Sequence, residues 1–364
     1  MLCKTALTLT TILFTSVLWT GPSLAQSSLS QSSLLHLDKS RNVITMAPLL
    51  KDVMASVVSI NTIDSQASDG ITSYGGIGSG VIIDADKGLI ITNDHVIAEA
   101  QDITVILSDR RQYNGVVLGQ DPETDLALLQ ITADDLSALP FSKDDDVQVG
   151  DYVIAVGNPF GLSSTVTSGI VSAIGREGDS RTSYTDFIQT DASINPGNSG
   201  GALVNSNGEL IGINAAIVSR TGSGSGIGFA VPLYIVRHVV KQLETYGIVD
   251  RGTLGVMITA IPHDRTEDLQ LTSLEGALIA DIISGGAAEA IGLQVNDVIT
   301  HFAGRPIRDS SDLRYAVGLV PPGEETNIRY IREGKSSDQT LTVKPVLITQ
   351  PVSLPLVTRD TPRV

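Results

Sequence analysis

From about residue 46 to about residue 231, short apolar runs alternate with turns rich in Gly, Asp and Asn, and this rhythm predicts strands rather than helices. The runs fall into two sets. The first is Val57–Ile63, Ser79–Ile83, Leu89–Asn93, Ile103–Leu107, Tyr113–Gly119 and Leu126–Ile131; the second is Tyr152–Gly157, Ser164–Ile174, Phe187–Thr190, Gly201–Val204, Leu210–Ile217 and Ile227–Val231. Two sets of six predict two small β-barrels joined near Ser142–Val149. The period then changes. Pro232 opens a helix whose Leu233, Val236, Val239, Val240 and Leu243 share one face, and Gly247 closes it. Residues 252–347 read as a separate mixed unit, with strands near Leu254–Ile258, Gly276–Ile282 and Asp297–Phe302 and a helix around Ser311–Val317. The expected fold class is mainly β, with a smaller α+β unit at the C-terminal end.

The N-terminus follows another pattern. Lys4 precedes an uncharged, largely apolar run through Trp19, Gly21-Pro22 breaks it, and Ser23-Leu24-Ala25 offers small residues two apart. This predicts a secretory signal, residues 1–25, cut before Gln26. The alternative is an uncleaved anchor, because the uncharged stretch Thr5–Ala25 reaches the roughly 20 residues that span a bilayer. Residues 26–45, opening with the Ser/Gln-rich stretch Gln26 to Ser33, read as a flexible leader, and residues 348–364, with Pro351, Pro355 and Pro362, as a disordered tail.

Composition narrows the function classes. A formal net charge of −16 argues against an electrostatic nucleic-acid binder. The one cysteine, Cys3, excludes a disulfide framework and multi-thiolate metal sites and would leave with the signal, which suits an oxidising compartment. Asp144-Asp145-Asp146 reads as a solvated linker, and Asp84-Ala85-Asp86-Lys87-Gly88 lacks the closing Glu of a calcium loop. Gly76-Ile77-Gly78-Ser79-Gly80 and the run Gly222 to Gly228 lack the lysine and strand–helix context of a phosphate loop and read as barrel-entry and pocket loops. Neither a metal nor a cofactor is expected.

One segment is chemically pointed. In Asn195-Pro196-Gly197-Asn198-Ser199-Gly200-Gly201 glycines flank a serine, so the amides of Gly197 and Ser199 can converge beside its hydroxyl, as an oxyanion hole does beside its nucleophile. The bland alternative is a Gly-Asn hairpin turn. A serine hydroxyl needs a base, and the base a carboxylate. Of five histidines, His36 lies in the leader, His238 on the predicted helix, His263 and His301 in the C-terminal unit; His95, where an apolar strand reaches the barrel rim, is the one inside the barrels. Asp125, just before the strand at Leu126, is the candidate acid, and Asp121 competes with it. The order His95, Asp125, Ser199 is the order that accompanies paired β-barrels.

The chain resembles the HtrA/Deg (peptidase Do-like) trypsin-fold serine proteases from about Met46 to Pro345. The resemblance rests on Thr92-Asn93-Asp94-His95-Val96, Thr124-Asp125-Leu126-Ala127, Gly157-Asn158-Pro159-Phe160-Gly161, the run Val166 to Ser172, the run Gln189 to Gly201, and the run Gly226 to Pro232. It implies a protease domain over 46–247, built as a double six-stranded barrel, followed by a PDZ domain over 252–347. It also implies His95, Asp125 and Ser199 as the catalytic residues, Gly197, Asn198 and Ser199 around the oxyanion hole, and a homotrimer. The implied substrates are unfolded or misfolded envelope proteins in the periplasm.

Ser193 stands six residues before Ser199, where enzymes that cut after Lys or Arg carry an aspartate. The resemblance walls the pocket with Ile194, Ile217 and Val218, which suits small or medium aliphatic residues. Neutral Asn198 replaces the aspartate through which digestive relatives are activated, so zymogen cleavage is not expected. The resemblance places a sensor loop at Arg176–Asp186, with Arg176 bridging to the activation machinery, and a carboxylate-binding loop for hydrophobic C-terminal peptides at Thr253, Leu254, Gly255 and Val256. Two other readings stay open: a membrane-anchored regulatory protease with one specific target, and a non-proteolytic chaperone or PDZ binding protein.

Overall fold

The computed structural model describes residues 36–64, 74–98, 100–143, 147–159, 164–176, 186–217, 226–342 and 344–345. The expected signal, the Asp144–Asp146 linker, Val218, the interior of the sensor loop and the tail lie outside these residues. At the end of the expected leader, β1 (His36–Asp38) and β2 (Val43–Thr45) pair as a hairpin, where the Asp38 carboxylate accepts from Ser40 and Arg41. The helix α1 (Ala47–Ala55) follows, with a proline in its first turn.

The first set of apolar runs builds β3 (Val57–Asp64), β4 (Tyr74–Asp84), β5 (Leu89–Thr92), β6 (Ala100–Ile106), β7 (Gln112–Asn114), β8 (Val116–Asp121) and β9 (Leu126–Gln130), with the short helix α2 (Asp94–Ile97) after β5. They lie in the order β7-β6-β3-β4-β5-β9-β8, an open half-barrel rather than a closed ring of six. The expected strand Tyr113–Gly119 is the reason. It breaks at Gly115 into β7 and β8, which become the two edges, while the Gly115 N–H bonds the Ile103 carbonyl. Successive residues of a strand point to opposite faces. Thus Val58 and Ile60 join Ile82, Ile90, Val105 and Leu129 inside the half-barrel, whereas Val57, Val81, Leu89, Ile91, Leu126 and Leu128 form the second core on its other face. Burial on both faces is why β5 and β9 read as unbroken apolar runs.

The second set does close. β10 (Tyr152–Gly157), β11 (Thr165–Arg176), β12 (Phe187–Thr190), β13 (Ala202–Val204), β14 (Leu210–Ile217) and β15 (Gly228–Pro232) form a barrel in the order β10-β11-β12-β15-β14-β13. The helix α3 (Leu233–Tyr246) then lies against both units: its Val236, Val239 and Leu243 share a core with Leu126 and Leu128 of β9 and with Val204 and Ile213 of the closed barrel. Gly247 ends it in the left-handed conformation.

The C-terminal unit contains β16 (Gly252–Thr253), β17 (Val256–Thr259), β18 (Ala277–Ile282), α4 (Ala287–Ala290), β19 (Val298–Phe302), β20 (Arg305–Pro306), α5 (Ser310–Gly318), β21 (Glu325–Arg332), β22 (Lys335–Thr342) and β23 (Lys344–Pro345). The hairpin of β21 and β22 had no counterpart in the apolar pattern, because most of its residues are polar and only Ile328, Tyr330 and Leu341 reach the core. Asp309 caps α5 by accepting from the amides of Ser311 and Asp312. That helix packs two ways. Leu313, Ala316 and Val317 enter the C-terminal core, while Tyr315 joins the core under α3 and meets the Tyr234 ring edge-on at 5.4 Å.

Candidate active site

The histidine and the carboxylate arrive from neighbouring strands of the half-barrel. Leaving the buried strand β5, the chain passes Asn93 and turns at once into α2, which carries His95 on its first turn. Asp125 precedes β9 and has φ 56°, a left-handed backbone that a non-glycine residue adopts only when its surroundings impose it. Two hydrogen bonds hold it. Its N–H donates to the Pro122 carbonyl at 3.3 Å, and the Asn93 side-chain amide donates to its carbonyl at 2.8 Å.

So held, the Asp125 carboxylate grips His95 twice: Oδ1 accepts from the His95 backbone N–H at 3.0 Å, and the two oxygens lie 2.9 and 2.8 Å from Nδ1. A carboxylate only accepts, so Nδ1 carries the proton and Nε2 keeps its lone pair, the tautomer a general base needs. The competing acid Asp121 is turned elsewhere. Its Oδ2 accepts from the Thr124 hydroxyl and from Arg251, both at 2.5 Å.

The serine loop is fastened to the half-barrel by Ser79. Its N–H donates to the Ser199 carbonyl at 2.8 Å, its hydroxyl donates to the Gly197 carbonyl at 2.6 Å and accepts from Asn158 N–H at 2.8 Å, and its own carbonyl accepts from the Thr92 hydroxyl at 2.7 Å. Gly200 is required here. With φ +81° it lies so close that a Cβ would stand 2.1 Å from the Ser79 carbonyl oxygen. Within the loop the Asn198, Gly200 and Gly201 amides donate to Asn195, Asn214 and Asn198, whereas among the described residues the amides of Gly197 and Ser199 have no acceptor. Two unengaged N–H groups beside a serine are what an oxyanion site requires; the Asn198 amide instead closes the turn. Among the described residues no hydrogen bond joins the Ser199 hydroxyl to His95. Val96, the residue after His95, and the Ser199 carbonyl nevertheless press on the same face of Gly78.

Ser193 is exposed, and its carbonyl accepts from the Thr167 hydroxyl. Ile194 is buried against Gly228 in the closed barrel's core, and Ile217 ends β14. Arg176 ends β11 at an exposed position, and Asp186, at the far end of the expected sensor loop, accepts from the Tyr234 hydroxyl and faces Arg308 of the C-terminal unit at 3.6 Å. Burial pushes the Asp186 carboxyl up. In the C-terminal unit Leu254 is buried, Gly255 is left-handed with its N–H on the Thr253 hydroxyl, and Val256 opens β17. Among the described residues β17 pairs with β18 alone, so its other edge is open. Sequence reasoning missed the role of Ser79, which it read only as the start of the strand Ser79–Ile83 beside a glycine-rich entry loop, and the Arg251 contact to Asp121, which joins residues 130 apart.

Asp94, beside His95, is pushed up to about 6 by burial first and then by the negative charges of Asp125 and Asp121. A carboxyl raised on folding costs nothing below pH 4, and stability is lost as pH rises through the folded value. Asp94→Asn should therefore match wild type at pH 4 and exceed it at pH 7.5 by about 1 kcal/mol once solvent screening of this partly exposed group is allowed for. Thermal melts at the two pH values check this, and equal gains at both would refute the charge argument. Asn198 is 1% exposed, and among the described residues neither its Oδ1 nor its Nδ2 has a partner. Asn198→Asp should destabilise the protein by about 2–4 kcal/mol at pH 7.5 and much less at pH 4, because the new charge is buried without a cation. An unchanged melting temperature at pH 7.5 would show a cation within reach.

Residues 78–213 match a trypsin-like peptidase domain and residues 252–344 match a PDZ domain. The periplasmic serine endoprotease DegP of Escherichia coli (strain K12) is 46% identical over 266 residues, which cover 73% of this chain and 56% of that protein. The chain thus spans about half the length of the DegP relatives it matches. The periplasmic pH-dependent serine endoprotease DegQ of the same strain is 39% identical over 319 residues, 82% of this chain and 70% of DegQ. Among solved structures, the HtrA-type protease AlgW with a tripeptide superposes with a TM-score of 0.70 at 38% identity, over 85% of this chain and 98% of that one. The serine endoprotease from Yersinia pestis gives 0.58 at 34% identity, over 83% and 98%. A trypsin-like domain and a PDZ domain follow one another, and DegQ aligns over more than two thirds of its length, so the chain belongs to the HtrA-type, DegP/DegQ-like family of serine proteases.

Proposed function

We propose that this protein is an exported serine endopeptidase of protein quality control that cleaves unfolded or damaged proteins in the periplasm without ATP. The observation that carries the reading is the Asp125 grip on His95 at 2.8 Å, together with a Gly-Asn-Ser-Gly loop whose Gly197 and Ser199 amides have no acceptor among the described residues. In this reading the Ser199 hydroxyl attacks the scissile carbonyl as His95 Nε2 takes its proton. Asp125 stabilises the imidazolium, and the Gly197 and Ser199 amides receive the oxyanion. His95 then protonates the leaving amine, and water releases the acyl group by the same proton path. Hydrolysis of a peptide bond is downhill, so no phosphoryl donor is called for.

A neutral, exposed Ser193 and an aliphatic Ile194 favour cleavage after small or medium aliphatic residues, with Ile217 and Val218 as further walls. A methylene alters such binding by only about 1–3 kcal/mol, so the preference is broad. The open edge of β17, beside the loop Thr253–Val256, favours strand addition by hydrophobic C-terminal peptides as the regulatory input, transmitted through the segment between Arg176 and Asp186. The names of the periplasmic relatives support export, and the homotrimer is what the sequence resemblance implies.

Casein digestion by the purified protein, with and without a hydrophobic C-terminal peptide, tests the assignment. Ser199→Ala should lose activity by several orders of magnitude, and retained activity would sink the triad. Sequencing the fragments should show cuts after Val, Ile or Ala, and dominance of Lys or Arg would refute the pocket. Sedimentation at three times the chain mass is expected of the active form; a monomer would refute the trimer.

A further inference from the structure

Arg251 is the last residue before β16, the first strand of the C-terminal domain, yet its side chain belongs to the protease. Nη2 donates to Asp121 Oδ2 at 2.5 Å and Nε lies 3.3 Å from Glu123 Oε2. The arginine side chain is 10% exposed and that of Asp121 3%. Asp121 ends β8 and is bound by its own turn as well, accepting from the Thr124 hydroxyl at 2.5 Å and, at its carbonyl, from the Thr124 N–H at 3.3 Å. The turn Asp121–Thr124 is therefore gripped immediately before Asp125, the residue whose left-handed backbone presents the carboxylate to His95.

The path to Arg251 is tight. The carbonyl of Gly247, at the end of α3, lies against β8, where a Cβ on Gly119 would stand 2.5 Å from it. The Gln242 side chain on α3 accepts from the Asp250 N–H at 2.8 Å. The charged and titratable groups gathered here are Asp94, Asp121, Glu123 and Asp125, with His95 on α2, His238 and Lys241 on α3, and Tyr315 on α5. Arg251 bonds directly to two of the four carboxylates.

We propose that Arg251 is a positioning residue for the triad: by neutralising Asp121 and clamping the turn, it seats Asp125 on His95 and ties the geometry of the catalytic acid to the strand on which the PDZ domain begins. The proposal rests on the triad reading above. A small displacement of an acid that orients the base costs turnover rather than binding.

The test uses the full chain as wild type, Arg251→Gln, Arg251→Lys, Arg251→Gln with Asp121→Asn, and Ser199→Ala. It reads the rate at which a fluorophosphonate labels the active serine, kcat and KM on a peptide anilide with valine before the scissile bond, and the melting temperature. Arg251→Gln should lower both the labelling rate and kcat about 10- to 100-fold with KM within about twofold. Arg251→Lys, which keeps the charge but not the fork, should lose about threefold or more. The double variant buries no unpaired charge and should return to within about fivefold of wild type. Unchanged labelling and kcat with only a lower melting temperature would overturn the proposal, as would a loss confined to KM. If Arg251→Gln does not fold, Arg251→Lys decides, and wild-type labelling by that variant overturns it. Failure of wild type itself to be labelled would instead refute the triad reading, which separates the two.

Discussion

The candidate active site depends on four hydrogen bonds at one buried residue, Ser79. A serine protease must bring a nucleophile from one unit and a base from another to a common point, and hold them there against the conformational entropy of two loops. Ser79 sits on β4 of the half-barrel and binds the Ser199 carbonyl, the Gly197 carbonyl, the Asn158 amide and the Thr92 hydroxyl. The first three contacts belong to the closed barrel's serine loop and its neighbour; the fourth lies three residues before His95. Each bond is worth about 0.5–1.5 kcal/mol net, but together they remove the freedom by which the two halves could drift apart. Gly200 allows this closeness, since any side chain there would collide with the Ser79 carbonyl.

Around that anchor the site keeps its polar atoms unequally satisfied. The Asp125 carboxylate is engaged by the His95 ring and backbone N–H, and the strained backbone of Asp125 is held by the Asn93 side-chain amide, whose own buried Oδ1 has no partner among the described residues. The Gly197 and Ser199 amides have no acceptor among the described residues, and the negative charges of Asp125 and Asp121 raise the half-buried carboxyl of Asp94. Such a site spends stability on charge and strain that the surrounding cores must supply. They are placed to do so: one core runs continuously from the half-barrel's outer face through α3 to the closed barrel and receives Tyr315 from the C-terminal domain.

The apolar pattern was a sound guide where burial is two-sided or strictly alternating. β10, β12 and β14 begin and end where their apolar runs do, and α3 lies between the Pro232 and Gly247 that were read as its limits. It failed where burial is sparse. The hairpin of β21 and β22 buries few residues, so nothing in its composition separates it from a loop, and in α1 Val53 alone is fully buried. The single run Tyr113–Gly119 became two edge strands because a glycine interrupts it, and that left the first unit open.

The residue types of the site were determined by sequence, because a serine between glycines, one barrel histidine and an aspartate at a strand start are each a local chemical statement. Which aspartate meets the histidine was not, since Asp121 and Asp125 differ by four positions in one turn. Only the tertiary fold separates them. The left-handed backbone at Asp125 aims its carboxylate at His95, while Asp121 is claimed by Arg251, a residue 130 positions away. The same holds for Ser79. A serine on a strand carries no signal until the other unit supplies the carbonyls that its hydroxyl and amide bind, and that pairing is a property of three-dimensional contact, not of chain order.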